Sequence, residues 1–242
     1  MASEPIAALD RLRAVAPALS VSILAGDLMA LGRDLSRLEE AGVSLLHLDV
    51  MDGCFTPMMT LGPPVIRAMK TSMLKDVHLM IDEPLGKVAE YVAAGADIVT
   101  VHAESCVHIH RVLQYLGTLK NVNDPARGLV RGVALNPGTP IETIKPLLDE
   151  IDLVVLLAIN PGWGGQSFLQ STRQRVDLVR RMTADCGRHV LVGVDGGITR
   201  GNVASLAGAG VDLVVTGSAV FEGGNVAENV RTMAAALSGQ AT

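Results

Sequence analysis

The sequence predicts a closed (β/α)8 (TIM) barrel, on three observations. Short apolar runs alternate with loops and amphipathic stretches eight times within 242 residues. The runs are apolar on both faces, as parallel strands covered by helices must be. Three helical stretches end almost alike, in Glu40-Ala41-Gly42-Val43, Ala93-Ala94-Gly95-Ala96-Asp97 and Gly208-Ala209-Gly210-Val211-Asp212. Each puts glycine where a helix C-cap needs a left-handed residue, with the next strand directly behind it. An open doubly wound sheet would carry GxGxxG after its first strand, and Ser22-Ile23-Leu24-Ala25-Gly26-Asp27 does not match it.

The elements follow in order. Pro5 to Val15 reads as a short helix, with Ile6, Leu9, Leu12 and Val15 at helical spacing, and Pro17 ends it. The expected strands are Leu19–Leu24, Leu45–Met51, Val77–Ile81, Ile98–Ala103, Gly132–Leu135, Leu153–Ile159, Val190–Val194 and Leu213–Thr216. Helices are expected over Leu31–Ala41, Pro84–Ala94, Ile109–Leu119, Thr199–Ala209 and Ala227–Leu237. No linker or shift in composition marks a second domain, so the division is an N-terminal helical extension (1–16) and one barrel domain (17–242).

Composition narrows the function. With 49% hydrophobic and 19% charged residues the chain can bury a large core. A formal net charge of −5 and only 2% aromatic residues argue against a nucleic-acid surface. Cys54, Cys106 and Cys186 are odd in number and scattered, which points to reduced thiols in a cytoplasmic protein. Charges at Glu4, Asp10, Arg11 and Arg13 interrupt any signal peptide. Asn160, Pro161 and the following glycines interrupt the uncharged run 153–172, so no membrane span is expected there.

In such a barrel, chemistry sits where strands end. Residues two apart on a strand share a face, so His47, Asp49 and Met51 point the same way. A buried imidazole beside a buried carboxylate needs a partner. His78 lies on the third run and Asp195 directly follows the seventh, and two imidazoles with two carboxylates suit a divalent metal. Each has a plainer reading alone: His78 as a core histidine, Asp195 as a turn residue, His47 with Asp49 as a hydrogen-bonded pair. One metal shell explains all four together. His102 has no carboxylate two residues on within its strand and reads as structural; His108, His110 and His189 read as solvated. Dense glycines in Asn160-Pro161-Gly162-Trp163-Gly164-Gly165-Gln166-Ser167, Asp195-Gly196-Gly197 and Gly217-Ser218 let backbone N–H groups approach an anion, where such barrels often hold phosphate. No lysine falls on an expected strand, which disfavours a Schiff-base aldolase.

These segments resemble the ribulose-phosphate 3-epimerases. The resemblance rests on Ser22-Ile23-Leu24, His47 to Gly53, Val77-His78-Leu79-Met80, Asn160 to Phe168, Val194 to Gly197 and Gly217 to Phe221. It implies a ribulose-phosphate-binding barrel that interconverts D-ribulose 5-phosphate and D-xylulose 5-phosphate in the cytoplasm, as a homo-oligomer. It also implies one divalent ion per subunit, zinc or iron, with manganese or cobalt as substitutes, held by His47, Asp49, His78 and Asp195. On the same resemblance Asp49 and Asp195 are the acid/base pair of a 1,1-proton transfer at C3 through a metal-stabilised enediolate. Ser22, His78, Gly162, Trp163, Gly164, Gly165, Gly196, Gly197, Gly217 and Ser218 match substrate-binding positions, and Met51 and Met80 match pocket walls. The chain departs from the family at Trp163, Met58 and Ala158, the last standing where a third pocket methionine is expected. The helix before Ala16 and the loop 121–131 are additions. Two other readings stay open: a 3-epimerase of another ketose phosphate such as D-allulose 6-phosphate, and a non-catalytic sugar-phosphate-binding barrel. A decarboxylase of the orotidine-phosphate type would want a lysine among Asp49-Val50-Met51-Asp52, which has none.

Overall fold

A computed structural model describes residues 7–239. Eight parallel strands close into a ring: β1 (Ala18–Ser22), β2 (Leu45–Met51), β3 (Leu74–Met80), β4 (Ile98–His102), β5 (Val130–Leu135), β6 (Leu153–Leu157), β7 (Leu191–Asp195) and β8 (Leu213–Thr216). β1 pairs with both β2 and β8, so no edge is left open. The helices outside are α2 (Leu31–Glu40), α3 (Pro63–Ala68), α4 (Val88–Ala93), α5 (Ile109–Thr118), α6 (Thr172–Asp185), α7 (Ser218–Phe221) and α8 (Val226–Leu237), with α1 (Ala8–Val15) ahead of the barrel. Among the described residues no helix is long and apolar enough to cross a membrane.

Two of the three glycine caps do what the sequence implied; the third, at Gly208–Gly210, follows no α-helix. Gly42 has φ +78°; its N–H bonds to Glu39 and the Val43 N–H reaches back to Leu38. Gly95, at φ +102°, repeats the pattern with Val92, while Ala96 reaches Tyr91. Both helices therefore hand their last carbonyls to the turn that starts the next strand.

Two expected elements differ. Thr199–Ala209 is a 3-10 turn at Val203–Leu206 and not a helix, because Gly201 and Gly208 lower its helical propensity. The crossover after β5 is likewise a 3-10 stretch, Ile141–Leu147, in which Pro146 has no N–H to give. β3 begins at Leu74, three residues early, which puts Lys75 on a strand. Lys75 does not enter the barrel: Leu74 belongs to the inner core, so its neighbour turns outward, and Lys75 Nζ donates to the Ile66 carbonyl at 2.7 Å. No lysine of the described strands therefore enters the barrel.

Alternation builds two cores. Inward residues such as Leu45, Leu74, Ile98, Leu153 and Leu191 fill the lower barrel; outward ones such as Leu46, Val77 and Val192 pack beneath the helices. Ala8 and Leu12 of α1, both fully buried, belong to the inner cluster. The N-terminal helix is thus a plug in the lower end of the barrel. Arg11 fixes it by donating to the Ser72 carbonyl and Arg13 by donating to that of His189. The first two residues of the expected helix, Pro5 and Ile6, lie outside the described residues.

Candidate active site

Apolar side chains fill the lower barrel and polar ones occupy the upper end. Strand register sets this out: His47 lies beside Asp76, Asp49 beside His78, and Met51 beside Met80, all facing inward from β2 and β3. Asp195 ends β7, in register with Leu157 on β6. The donor atoms of His47, Asp49, His78 and Asp195 all lie within 4.8 Å of one another.

His47 Nε2 is 3.2 Å from Asp49 Oδ1 and 4.0 Å from Asp195 Oδ2. His78 Nδ1 is 3.3 Å from Asp195 Oδ2 and 3.6 Å from Asp49 Oδ1. Both rings are buried, and His78 Nδ1 has no aligned hydrogen-bond partner. A buried nitrogen turned toward two carboxylate oxygens without bonding either fits a ligand set awaiting a divalent cation. The electrostatics agree. Burial works against charge on both imidazoles, yet the Asp49 and Asp76 carboxylates raise His47 well above its ordinary range. Asp195 and Asp49 raise His78 in the same way. Burial likewise opposes charge on Asp49, but the two imidazoles hold it far below the usual carboxylate range. The two carboxylates thus favour positive charge at the centre of the cluster.

Three neighbours escaped the sequence reading. Asp76 Oδ2 sits 2.8 Å from His47 Nδ1 and accepts the Ser20 hydroxyl at 2.8 Å. It anchors the ring nitrogen that faces away from the cluster. His102, expected to be structural, places Nε2 2.9 Å from His78 Nε2. Glu104, two residues past the end of β4, stands 3.2 Å from His102 Nδ1. Burial, with His78 alongside, pushes His102 down to about 4. Asp76 could have been found from the period-two rule, two residues before His78; the His102 contact carried no local signal.

The other expected site residues are placed as follows. Ser22 turns its hydroxyl to Asp49 Oδ2 at 2.6 Å. Met80 is buried and Met51 half-buried, one register step above Asp49 and His78. The third wall position is corrected: Ala158 packs in the outer core, and the inward residue of β6 at that level is Leu157. Glycines divide into two kinds. A Cβ on Gly162 would lie 2.7 Å from Pro57, on Gly196 2.3 Å from Ile159, on Gly197 2.9 Å from the Phe168 nitrogen and on Gly217 2.8 Å from Ala25. These four let neighbouring loops pack. Gly164 and Gly165 face open space, next to the half-exposed Trp163. The Gln166 amide closes that loop, accepting from the Asn160 N–H and donating to the carbonyls of Asn160 and Trp163. Ser218 opens α7, where leading N–H groups have no intrahelical acceptor.

Comparison with known proteins now decides the family. The model of the ribulose-phosphate 3 epimerase family matches residues 18–221. The chain belongs to that family. It is 41% identical over 203 residues to the ribulose-phosphate 3-epimerase of Bacillus subtilis (strain 168), covering 83% of this chain and 90% of that one. It is 42% identical over 217 residues to the chloroplastic ribulose-5-phosphate-3-epimerase of Arabidopsis thaliana, covering 88% and 74%. Among solved structures it resembles 3-hexulose-6-phosphate synthase from Salmonella typhimurium, with TM-score 0.63, 19% identity and 93% and 100% coverage. That likeness speaks for the barrel alone. The matched span runs from β1 to the end of α7, so the α1 plug lies outside it. Within this epimerase family, then, the chain carries its His–Asp cluster where the eight strands end.

Proposed function

We propose that this epimerase interconverts D-ribulose 5-phosphate and D-xylulose 5-phosphate, with Asp49 and Asp195 as the two proton carriers. The supporting observation is the pair itself. Two carboxylates from β2 and β7, strands that are not neighbours, converge on the same two imidazoles, each with only one oxygen directed at them. In both cases the second oxygen is free of the imidazoles; on Asp49 it accepts the Ser22 hydroxyl and keeps a further lone pair for a substrate proton. Inversion at C3 needs a base on one face and an acid on the other.

His47, Asp49, His78 and Asp195 would hold the divalent ion, with zinc or iron the best match to two nitrogens and two oxygens. Such an ion supplies Lewis acidity at the substrate oxygens next to C3. The residues do the rest. Asp49 takes the C3 proton as the C–H electron pair moves toward the C2 carbonyl, giving an enediolate. Asp195 then protonates C3 from the opposite face, and exchange with water resets both carboxyls. The reverse reaction exchanges their roles. Positioned acid–base groups supply roughly 100- to 10,000-fold.

Ser22 orients Asp49 through the 2.6 Å hydrogen bond. Met51, Met80 and Leu157 form the apolar wall against the reacting carbons. Gly164, Gly165, Gly196, Gly197, Gly217 and Ser218 offer backbone N–H groups to the phosphate, and Trp163 covers the sugar. The catalytic unit is one barrel domain from residue 17 onward, with α1 as its lower closure.

Incubation with ribulose 5-phosphate in deuterated water tests this reading. Xylulose 5-phosphate labelled at C3 is expected; unlabelled product would overturn the two-carrier scheme. Kinetics with allulose 6-phosphate in parallel test the sugar, and a preference well above tenfold for the hexulose would overturn the pentulose assignment.

A further inference from the structure

We infer that His102 and Glu104 are positioning residues that fix which nitrogen of His78 faces the ion. The inference rests on the metal reading above and adds a three-residue chain to it. The His78 and His102 rings are nearly coplanar, at 17°, with centroids 5.0 Å apart and Nε2 atoms at 2.9 Å. With the two nitrogens so much closer than the centroids, the rings meet head to head, as a shared N–H requires, and not face to face.

The hydrogen bookkeeping then has one solution. His78 can offer an Nδ1 lone pair only if its ring proton is on Nε2. That proton points at His102 Nε2, which must therefore be the bare, accepting nitrogen. The His102 proton is thereby placed on Nδ1, where Glu104 Oε2 stands 3.2 Å away to accept it. Glu104 cannot swing off, because its other oxygen accepts the Asn136 N–H at 2.7 Å and the Thr139 hydroxyl. One carboxylate at the end of β4 thus sets two tautomers in series and turns the His78 lone pair into the cluster. His47 is oriented from the opposite direction, with Asp76 on Nδ1 and Nε2 left for the ion. The two histidine ligands consequently present different nitrogens. Buried rings without exposed atoms have no water to substitute for either partner: His78 and His102 are both 0% exposed.

The test measures zinc affinity by competition with a chromophoric chelator, together with nitrogen-15 spectra of the histidine rings in the zinc-loaded protein. In the wild type, zinc is expected on His78 Nδ1, with protons on His78 Nε2 and His102 Nδ1. Glu104→Gln and His102→Phe are each expected to weaken zinc binding roughly 10- to 100-fold. His102→Gln, whose amide oxygen can accept the His78 proton, should restore most of the loss. Circular dichroism in excess chelator confirms the fold, and should His102→Phe lose it, the isosteric Glu104→Gln decides. Affinities within about twofold of wild type in Glu104→Gln, or zinc on His78 Nε2, would overturn the chain while leaving the metal centre standing. A wild type that takes up no zinc, iron, manganese or cobalt would overturn both.

Discussion

The Ser22 hydroxyl donates to Asp49 Oδ2 at 2.6 Å, across the seam where β1 meets β2. This oxygen is the one that faces away from His47 and His78, so the bond fixes the carboxylate plane without competing with the cluster. A hydrogen bond to a charged group contributes about 1.5–3 kcal/mol. Ser22→Ala should lower kcat roughly 10- to 100-fold while leaving metal content unchanged. Steady-state kinetics alongside metal analysis will show it; a normal kcat would remove Ser22 from the positioning of Asp49.

On the proposed mechanism, Asp49→Asn and Asp195→Asn each remove one proton carrier. Either should cost about 100- to 10,000-fold in kcat. Single-turnover assays in deuterated water separate the roles: each variant should fail to deliver or accept label on one face of C3. Full activity in one variant would exclude that residue from the mechanism.

Leu12 is fully buried in the inner core although it belongs to α1, outside the family's matched span. Leu12→Ala should destabilise the fold by about 2–5 kcal/mol. Its kcat should stay unchanged, because the plug and the His–Asp cluster occupy opposite ends. Urea unfolding followed by assay of the folded variant distinguishes this from a plug that merely rests against the barrel.

Asp34 gives a pH signature remote from the cluster. Burial opposes its charge, but the Asp27 N–H and the Arg33 and Arg37 guanidinium groups hold its carboxyl below the ordinary value. A group whose pKa is depressed by folding adds stability above the unfolded value, near pH 4, and loses it as pH falls through the folded one. Asp34→Asn should therefore be less stable than wild type at pH 7, with the gap closing as pH falls below the unfolded value. Denaturant titrations at several pH values read it directly. Through Asp27 and Gly26, whose missing Cβ would lie 2.8 Å from Asp34 Oδ2, the same carboxylate holds down the loop after β1.

Much of this was legible in residues. Period-two alternation put His47, Asp49 and Met51 on one face, and the strand-end rule brought in His78 and Asp195 from distant stretches. What escaped was set by tertiary geometry or by an incomplete reading of the strands. Asp76 lies one residue ahead of the apolar run that opens at Val77, so apolar patterning alone leaves it off β3. His102 was judged against its own strand, whereas its partners are a ring on β3 and a carboxylate just past the strand end. Ala158 stood in for Leu157 because a sequence match does not show which neighbour turns inward. The Thr199–Ala209 stretch has apolar spacing suited to a helix, but Gly201 and Gly208 lower its helical propensity.

The order in which the cluster's parts are made has a consequence for biogenesis. His47, Asp49 and His78 lie on the adjacent strands β2 and β3, whereas Asp195 arrives at the end of β7 and the ring shuts only when β8 meets β1. A chain emerging from the ribosome carries three of the four donors long before the fourth exists. Complete coordination is therefore a property of the finished cylinder, and an ion held by all four residues reports that synthesis and closure are over.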